Sequence, residues 1–175
     1  MLRVVIDTSS LVSYVLTQGE LMSRVVKHWR AEDFMVLASP STIEELRAVL
    51  ARPAIQRLSS VPLDPFLERF DRFTYRVLGQ LTVTACRDVK DDKFLACAAE
   101  GEAHYLVSSD RDLLDMRRYQ QVAIVNPGQF LVALELYPLP VAALVNRFTN
   151  PMLAEIHATI PLDPDTEARL RRALS

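Results

Sequence analysis

Glycine, cysteine and histidine are scarce in this chain: its 175 residues hold 4 Gly, 2 Cys and 3 His. With half of the residues apolar, so little glycine excludes a linker-like or collagen-like polymer, and the length suffices for a domain with a sizeable core. Cys86 and Cys97 have no metal-type spacing and do not form a secreted disulfide framework, so both are expected to be buried thiols. His28, His104 and His157 are too scattered to announce a histidine-based metal site. No charge of one sign dominates either. The formal net charge is -2, so any surface for a polyanion must be local. No apolar run is long enough to cross a bilayer. The longest late stretch, "FLVALELYPLPVAALV", is interrupted by Glu135, Pro138 and Pro140 and falls short of the roughly 20 residues a span requires. The first apolar run meets Asp7 too early for a secretory signal, and the expected location is cytoplasmic.

What is present is alternation. "RVVID", "FMVLA", "LTVTA", "HYLVS" and "VAIVN" read as strands separated by helix-like segments, the pattern of an α/β fold with a central parallel sheet between helical layers. Gly19 divides the first helical stretch into two short helices. Ser41 and Glu44 read as a capping box for "SPSTIEELRAVLARP", which Pro53 ends. Asp64 and Pro65 open a helix expected to run to about Gly79, and paired aspartates open "DDKFLACAAEGEA". The α/β unit is expected over residues 1–136, closing with "NPGQFLVALEL". Residues 137–175, with five prolines, read as a helical C-terminal extension packed on the domain or a partner. Leu144, Val145, Phe148, Met152 and Ile156 supply its apolar face.

Carboxylates fall where such a fold builds sites. Ligands bind outside the carboxyl ends of parallel strands. Asp7 ends the first strand, Asp110 and Asp112 follow the fourth, Asp91 and Asp92 open a helix, and Glu44 and Glu45 lie in the first turns after the second strand. The capping box occupies Glu44, leaving Glu45 freer to face a cleft. Asp91 is well placed as a helix cap, whereas Asp92 shares the helical phase of Leu95, Ala96 and Ala99 on the inner face. Carboxylates without thiolates or imidazoles select a hard cation such as Mg2+ or Mn2+. A cation facing Asp7 would explain a charge at the mouth of a buried strand. Thr8 and Ser9 can cap the first helix or hold the ligands, and Ser109 stands beside Asp110.

In their order and spacing, "VVIDTSSLVS", "SPSTIEELRAVLARP", "VKDDKFLACA" and "YLVSSDRDLL" resemble the PIN-domain family, near the PIN-type toxin components of bacterial toxin–antitoxin systems. The resemblance runs to about residue 131 and implies a three-layer α/β/α PIN-like fold. It implies a metal-dependent endoribonuclease with Asp7, Glu45, Asp92 and Asp110 as catalytic acids. Asp7, Asp92, Asp110 and Asp112 would hold the metal, supported by the polar Thr8, Ser9 and Ser109. Ser9 departs from the asparagine these proteins often carry there. A homodimer and a cognate antitoxin are implied as well.

An RNA substrate needs cations too. Arg69, Arg72 and Arg76 recur at helical spacing, and Arg47, Lys93 and Arg111 lie beside the acidic motifs. A haloacid-dehalogenase-type phosphatase also starts from a strand ending in Asp, but it needs a second Asp where Ser9 stands. The alternative from another class is a non-catalytic PIN-like binding module that retains the acids.

Overall fold

The computed structural model describes residues 1–137 and 161–174. The first strand, β1 (Leu2–Ile6), is followed by α1 (Thr8–Thr17) and α2 (Glu20–Arg30). Next come β2 (Phe34–Ala38), α3 (Pro40–Leu50), α4 (Pro53–Leu58), α5 (Leu63–Phe73) and β3 (Thr74–Arg76). A long irregular stretch leads to α6 (Asp92–Glu100), β4 (Tyr105–Val107), α7 (Arg111–Leu114), β5 (Arg118–Tyr119), β6 (Val122–Val125) and α8 (Pro127–Leu136). A last helix, α9, spans Pro164–Leu174.

The strands form one sheet in the order β3-β2-β1-β4-β6-β5, with every pairing parallel except β5 with β6. Period-2 alternation divides the core into two layers. Leu2, Val4 and Ile6 of β1, with Tyr105 and Val107 of β4, pack against α1, α2, α3, α5 and α8. Val5, Leu37, Leu106 and Ile124 face the other way, against Phe94, Leu95 and Ala98 of α6 and Leu113 of α7. Both faces are covered, which is why the central strands read as nearly continuous apolar runs. The result is the three-layer α/β/α arrangement.

The local signals are partly relocated. "LTVTA" is not a strand; Thr74–Arg76 takes that place, pairing Val36 with Thr74 and Ala38 with Arg76. The amides of the irregular segment are spent elsewhere. Glu100 accepts from the N–H groups of Gly79, Gln80 and Leu81, and Asp92 from those of Ala85 and Cys86. With the amides of Leu81 and Ala85 committed to the two ends of α6, this β-prone segment is pinned at both of its own ends away from a ladder. Gly79 turns the chain at a φ of 77°, a conformation that suits glycine. Consequently α5 ends at Phe73, not near Gly79, and Arg76 leaves the helical stripe it was expected to share with Arg69 and Arg72.

At the start of α3 the capping pair is Ser39 and Thr42, not Ser41 and Glu44: Thr42 Oγ1 accepts the Ser39 N–H at 3.0 Å. Glu44 is exposed. Pro53 opens α4, using its fixed φ at the first helical position.

The C-terminal helix is seated by buried polar contacts. Tyr105 Oη accepts the Asp163 N–H at 2.7 Å and donates to Asp163 Oδ2 at 3.2 Å, while Asp163 Oδ1 caps α9 by accepting from Thr166 N. Leu162 and Leu170 pack with Leu136 of α8. The apolar residues Leu144, Val145, Phe148, Met152 and Ile156 lie outside the described residues. Among the described residues, no helix is long and apolar enough to cross a membrane.

Candidate metal centre

The chain turns to one side of β1 to make β2 and to the other to make β4. The sheet's topological switch point therefore lies between β1 and β4, where an open α/β sheet leaves a crevice at the carboxyl ends. Asp7 follows β1 there and its N–H donates to the Val107 carbonyl of β4 at 3.0 Å. It is only 2% exposed, and both carboxylate oxygens accept hydrogen bonds. Oδ1 accepts from Ser10 N at 2.8 Å, and Oδ2 accepts from the Ser9 and Ser108 hydroxyls at 2.7 and 2.6 Å. Burial pushes this carboxyl above its usual range, against the opposing pull of these donors.

An open cleft of about 240 Å³ lies beside Asp7, lined by Thr8, Ser9, Val12, Glu45, Val49, Asp91, Phe94 and Asp110. Four acids thus reach one hollow from β1, α3, the entrance to α6 and the end of β4. Asp110 caps the short helix α7, with Oδ1 accepting from Asp112 N at 2.7 Å. Its own N–H donates to Ser108 Oγ at 2.9 Å, so that hydroxyl bridges Asp110 to Asp7. Glu45 pairs with the Lys93 ammonium across the gap between α3 and α6.

Asp91, rather than Asp92, lines the cleft. Helical phase puts Asp92 on the inner face of α6, where it is 4% exposed. Being buried and facing the cleft are different things, because the inner face packs on the irregular segment, whose Ala85 and Cys86 amides reach Asp92 Oδ1 at 2.9 and 2.7 Å. Asp91 occupies the N-cap position but makes no side-chain capping bond. Its carboxyl is pushed up to about 6, first by desolvation and then by the charges of Asp110, Asp88, Asp7 and Glu45. A carboxylate raised by like-charged neighbours marks where positive charge is missing.

Other expected residues fall as follows. Asp112 is outside the cleft lining and holds the Arg87 guanidinium. Ser109 hydrogen-bonds Ser10 Oγ at 3.2 Å, while the direct contact with Asp7 belongs to Ser108, at the strand end and outside the expected site residues. Its signal was available, since Ser108 closes "HYLVS" as Asp7 closes "RVVID". Of the basic residues, Arg47 and Arg76 both bind Asp71, and Arg72 lies over the Phe73 ring at 5.6 Å. Arg69 and Arg111 are exposed and make no ion pair among the described residues.

A second group, His104, Asp163 and Asp165, brings ligand atoms within 4.8 Å of one another, a spacing compatible with a metal ion. Its atoms already have other work. His104 Nδ1 accepts the Arg3 N–H at 3.0 Å, which leaves the proton on Nε2, facing Asp165 at 3.8 Å. Both Asp163 oxygens accept from Tyr105, Asp165 or Thr166. These contacts fasten α9 to the start of β4. The cleft acids stand further apart, as like charges around open solvent do. Their all-oxygen donor set fits a hard cation that retains much of its water and takes only one or two carboxylates directly.

No curated protein and no solved structure matches the chain. A family model described as PIN domain matches residues 3–112, which include Asp7, Glu45, Asp91 and Asp110. PIN domains are generally nucleases that use divalent metal ions. By this match, over more than half of its length, the chain belongs to the PIN-domain family.

Proposed function

We propose that this chain is an endoribonuclease that hydrolyses RNA phosphodiester bonds with Mg2+ or Mn2+. Asp7, Glu45, Asp91 and Asp110 form its acidic centre. The observation that carries this reading is the cleft at the switch point, where four carboxylates converge and where burial and the charges of its acidic neighbours raise Asp91. When bound there, a divalent ion would supply positive charge for the phosphate and a water of lowered pKa. Asp7 holds a fixed orientation through Ser9, Ser10 and Ser108. Asp110 is aimed by its cap of α7. Lys93 neutralises part of the Glu45 charge. Burial and its acidic neighbours push the Asp91 carboxyl up to about 6, and a bound cation would draw it back down.

Exposed Arg111, next to Asp110 in the chain, is suited to an RNA phosphate beside the cleft, and exposed Arg69 of α5 offers a further cation. The motif resemblance extends the proposal to the toxin of a toxin–antitoxin pair, acting as a homodimer and held by a cognate antitoxin. Its test is cleavage of a panel of single-stranded and structured RNAs in Mg2+, Mn2+ and EDTA. Metal-dependent cutting by the wild type, absent in Asp7→Asn with an unchanged fold, is the expected result. Equal cutting by the variant would remove Asp7 from the centre. A folded, Mn2+-binding wild type that cuts no RNA would favour a binding module.

A further inference from the structure

Asp92 is buried, acidic and adjacent to a cleft residue, yet its carboxylate does not line the cleft. Instead Oδ1 receives two consecutive amides, from Ala85 and Cys86, while Oδ2 is buried without a partner. This clamp ties the first residue of α6 to a point six and seven residues earlier in the chain. It closes a short loop carrying Arg87, Asp88 and Asp91. Within that loop Asp91 has no capping bond to fix it, and among the described residues the hydrogen bond to its side chain is a long one from the Cys86 thiol, 4.0 Å from Oδ2. The direction in which Asp91 points is therefore set by the backbone on either side of it. One side is the helix; the other is a 3-10 turn, Val89–Asp91, capped by Asp88 and continuous with the segment that Asp92 holds.

We propose that Asp92 is a positioning residue: it aims Asp91 into the cleft by clamping the Ala85–Cys86 amides, and it acts through its acceptor geometry rather than its charge. This rests on the reading of the cleft as a divalent-cation centre. An asparagine preserves the Oδ1 acceptor, removes a buried charge and exchanges an unpartnered acceptor for an unpartnered donor. An alanine removes the clamp. Glu100 provides an internal comparison, because it holds the amides of Gly79, Gln80 and Leu81 at the other end of α6, away from the cleft.

The experiment measures Mn2+ binding to the full chain by titration, without RNA, well below each variant's melting temperature. Amide exchange at Ala85 and Cys86 is followed in parallel. Asp91→Asn should lose Mn2+ affinity, whereas Asp92→Asn should bind like the wild type and keep both amides protected. Asp92→Ala should expose both amides and weaken Mn2+ by about 10-fold, the usual scale for residues that orient metal ligands. Glu100→Ala should melt earlier with unchanged Mn2+ affinity. Asp92→Asn as weak as Asp91→Asn would overturn the proposal by making Asp92 a ligand. Full Mn2+ affinity in folded Asp92→Ala would overturn it by making the clamp merely structural. A wild type that binds no Mn2+ would instead overturn the reading of the cleft, and the proposal with it.

Discussion

Replacing Asp91 by asparagine should make the metal-free protein more stable at neutral pH. The reason is its crowded position, where burial and the charges of Asp110, Asp88, Asp7 and Glu45 lift its carboxyl from 3.8 to about 6. Such a lift would cost the fold about 3 kcal/mol at pH 7 if solvent were excluded. Asp91 is only partly buried, and screening reduces the cost to about 1 kcal/mol, or about 2–4 °C in Tm for a chain of this size. A raised acid binds its proton more tightly in the folded state than in the unfolded chain. Its penalty is therefore complete above the folded value and disappears as pH falls towards the unfolded one. The gap between Asp91→Asn and wild type should be largest at pH 7 and close between pH 6 and 4. Excess Mn2+ should reverse the order. At 100 times Kd, a ligand that binds only the folded state stabilises it by about 2.7 kcal/mol, and the variant should lose most of that gain. Thermal melts from pH 4 to 7.5, with and without Mn2+, read both effects. An apo variant that melts at or below wild type at pH 7, or a gap that ignores pH, would refute the crowding of Asp91 by its neighbours.

Two further outcomes test regions outside the cleft lining. Tyr105→Phe removes the hydroxyl that both donates to and accepts from Asp163, leaving buried polar groups unpaired, and should cost about 1–3 kcal/mol. Thermal melts should record that loss, with faster amide exchange across α9 but no change in Mn2+ affinity. Arg69→Ala and Arg111→Ala should each weaken RNA binding at low salt and reduce the slope of log affinity against log salt by about 1. An unchanged slope in filter binding would place both arginines outside the RNA path.

The sheet was legible because its strands are buried on both faces. Covered parallel strands must be almost wholly apolar, and "RVVID", "FMVLA", "HYLVS" and "VAIVN" satisfy this with their polar residues confined to the strand ends. "LTVTA" has the same β-prone composition and failed for a reason no local pattern carries. Glu100 lies 19 residues beyond Leu81 and takes the amide that a ladder would use. Arg76 was lost from its helical stripe by the same displacement, since Thr74–Arg76 became the edge strand instead. The capping pair at α3 slipped by two positions because Thr42, not Glu44, can fold back on the N-cap amide at the first turn after Ser39.

The choice between Asp91 and Asp92 shows where helical periodicity stops being informative about a site. Periodicity ranks residues by burial, and Asp92 ranks correctly: it lies on the inner face of α6 and is almost inaccessible. A site, though, forms where the sheet's carboxyl ends meet the cap residue just before the helix, outside its regular phase. There Asp91 escapes the core and meets Asp7, Glu45 and Asp110. The distinction lies in what surrounds each charge. Asp92 has two amides on one oxygen, a solvation shell made of the chain's own backbone, whereas Asp91 has like charges and water. An acid that the protein has already solvated serves the fold, and the one left among other acids calls for a cation.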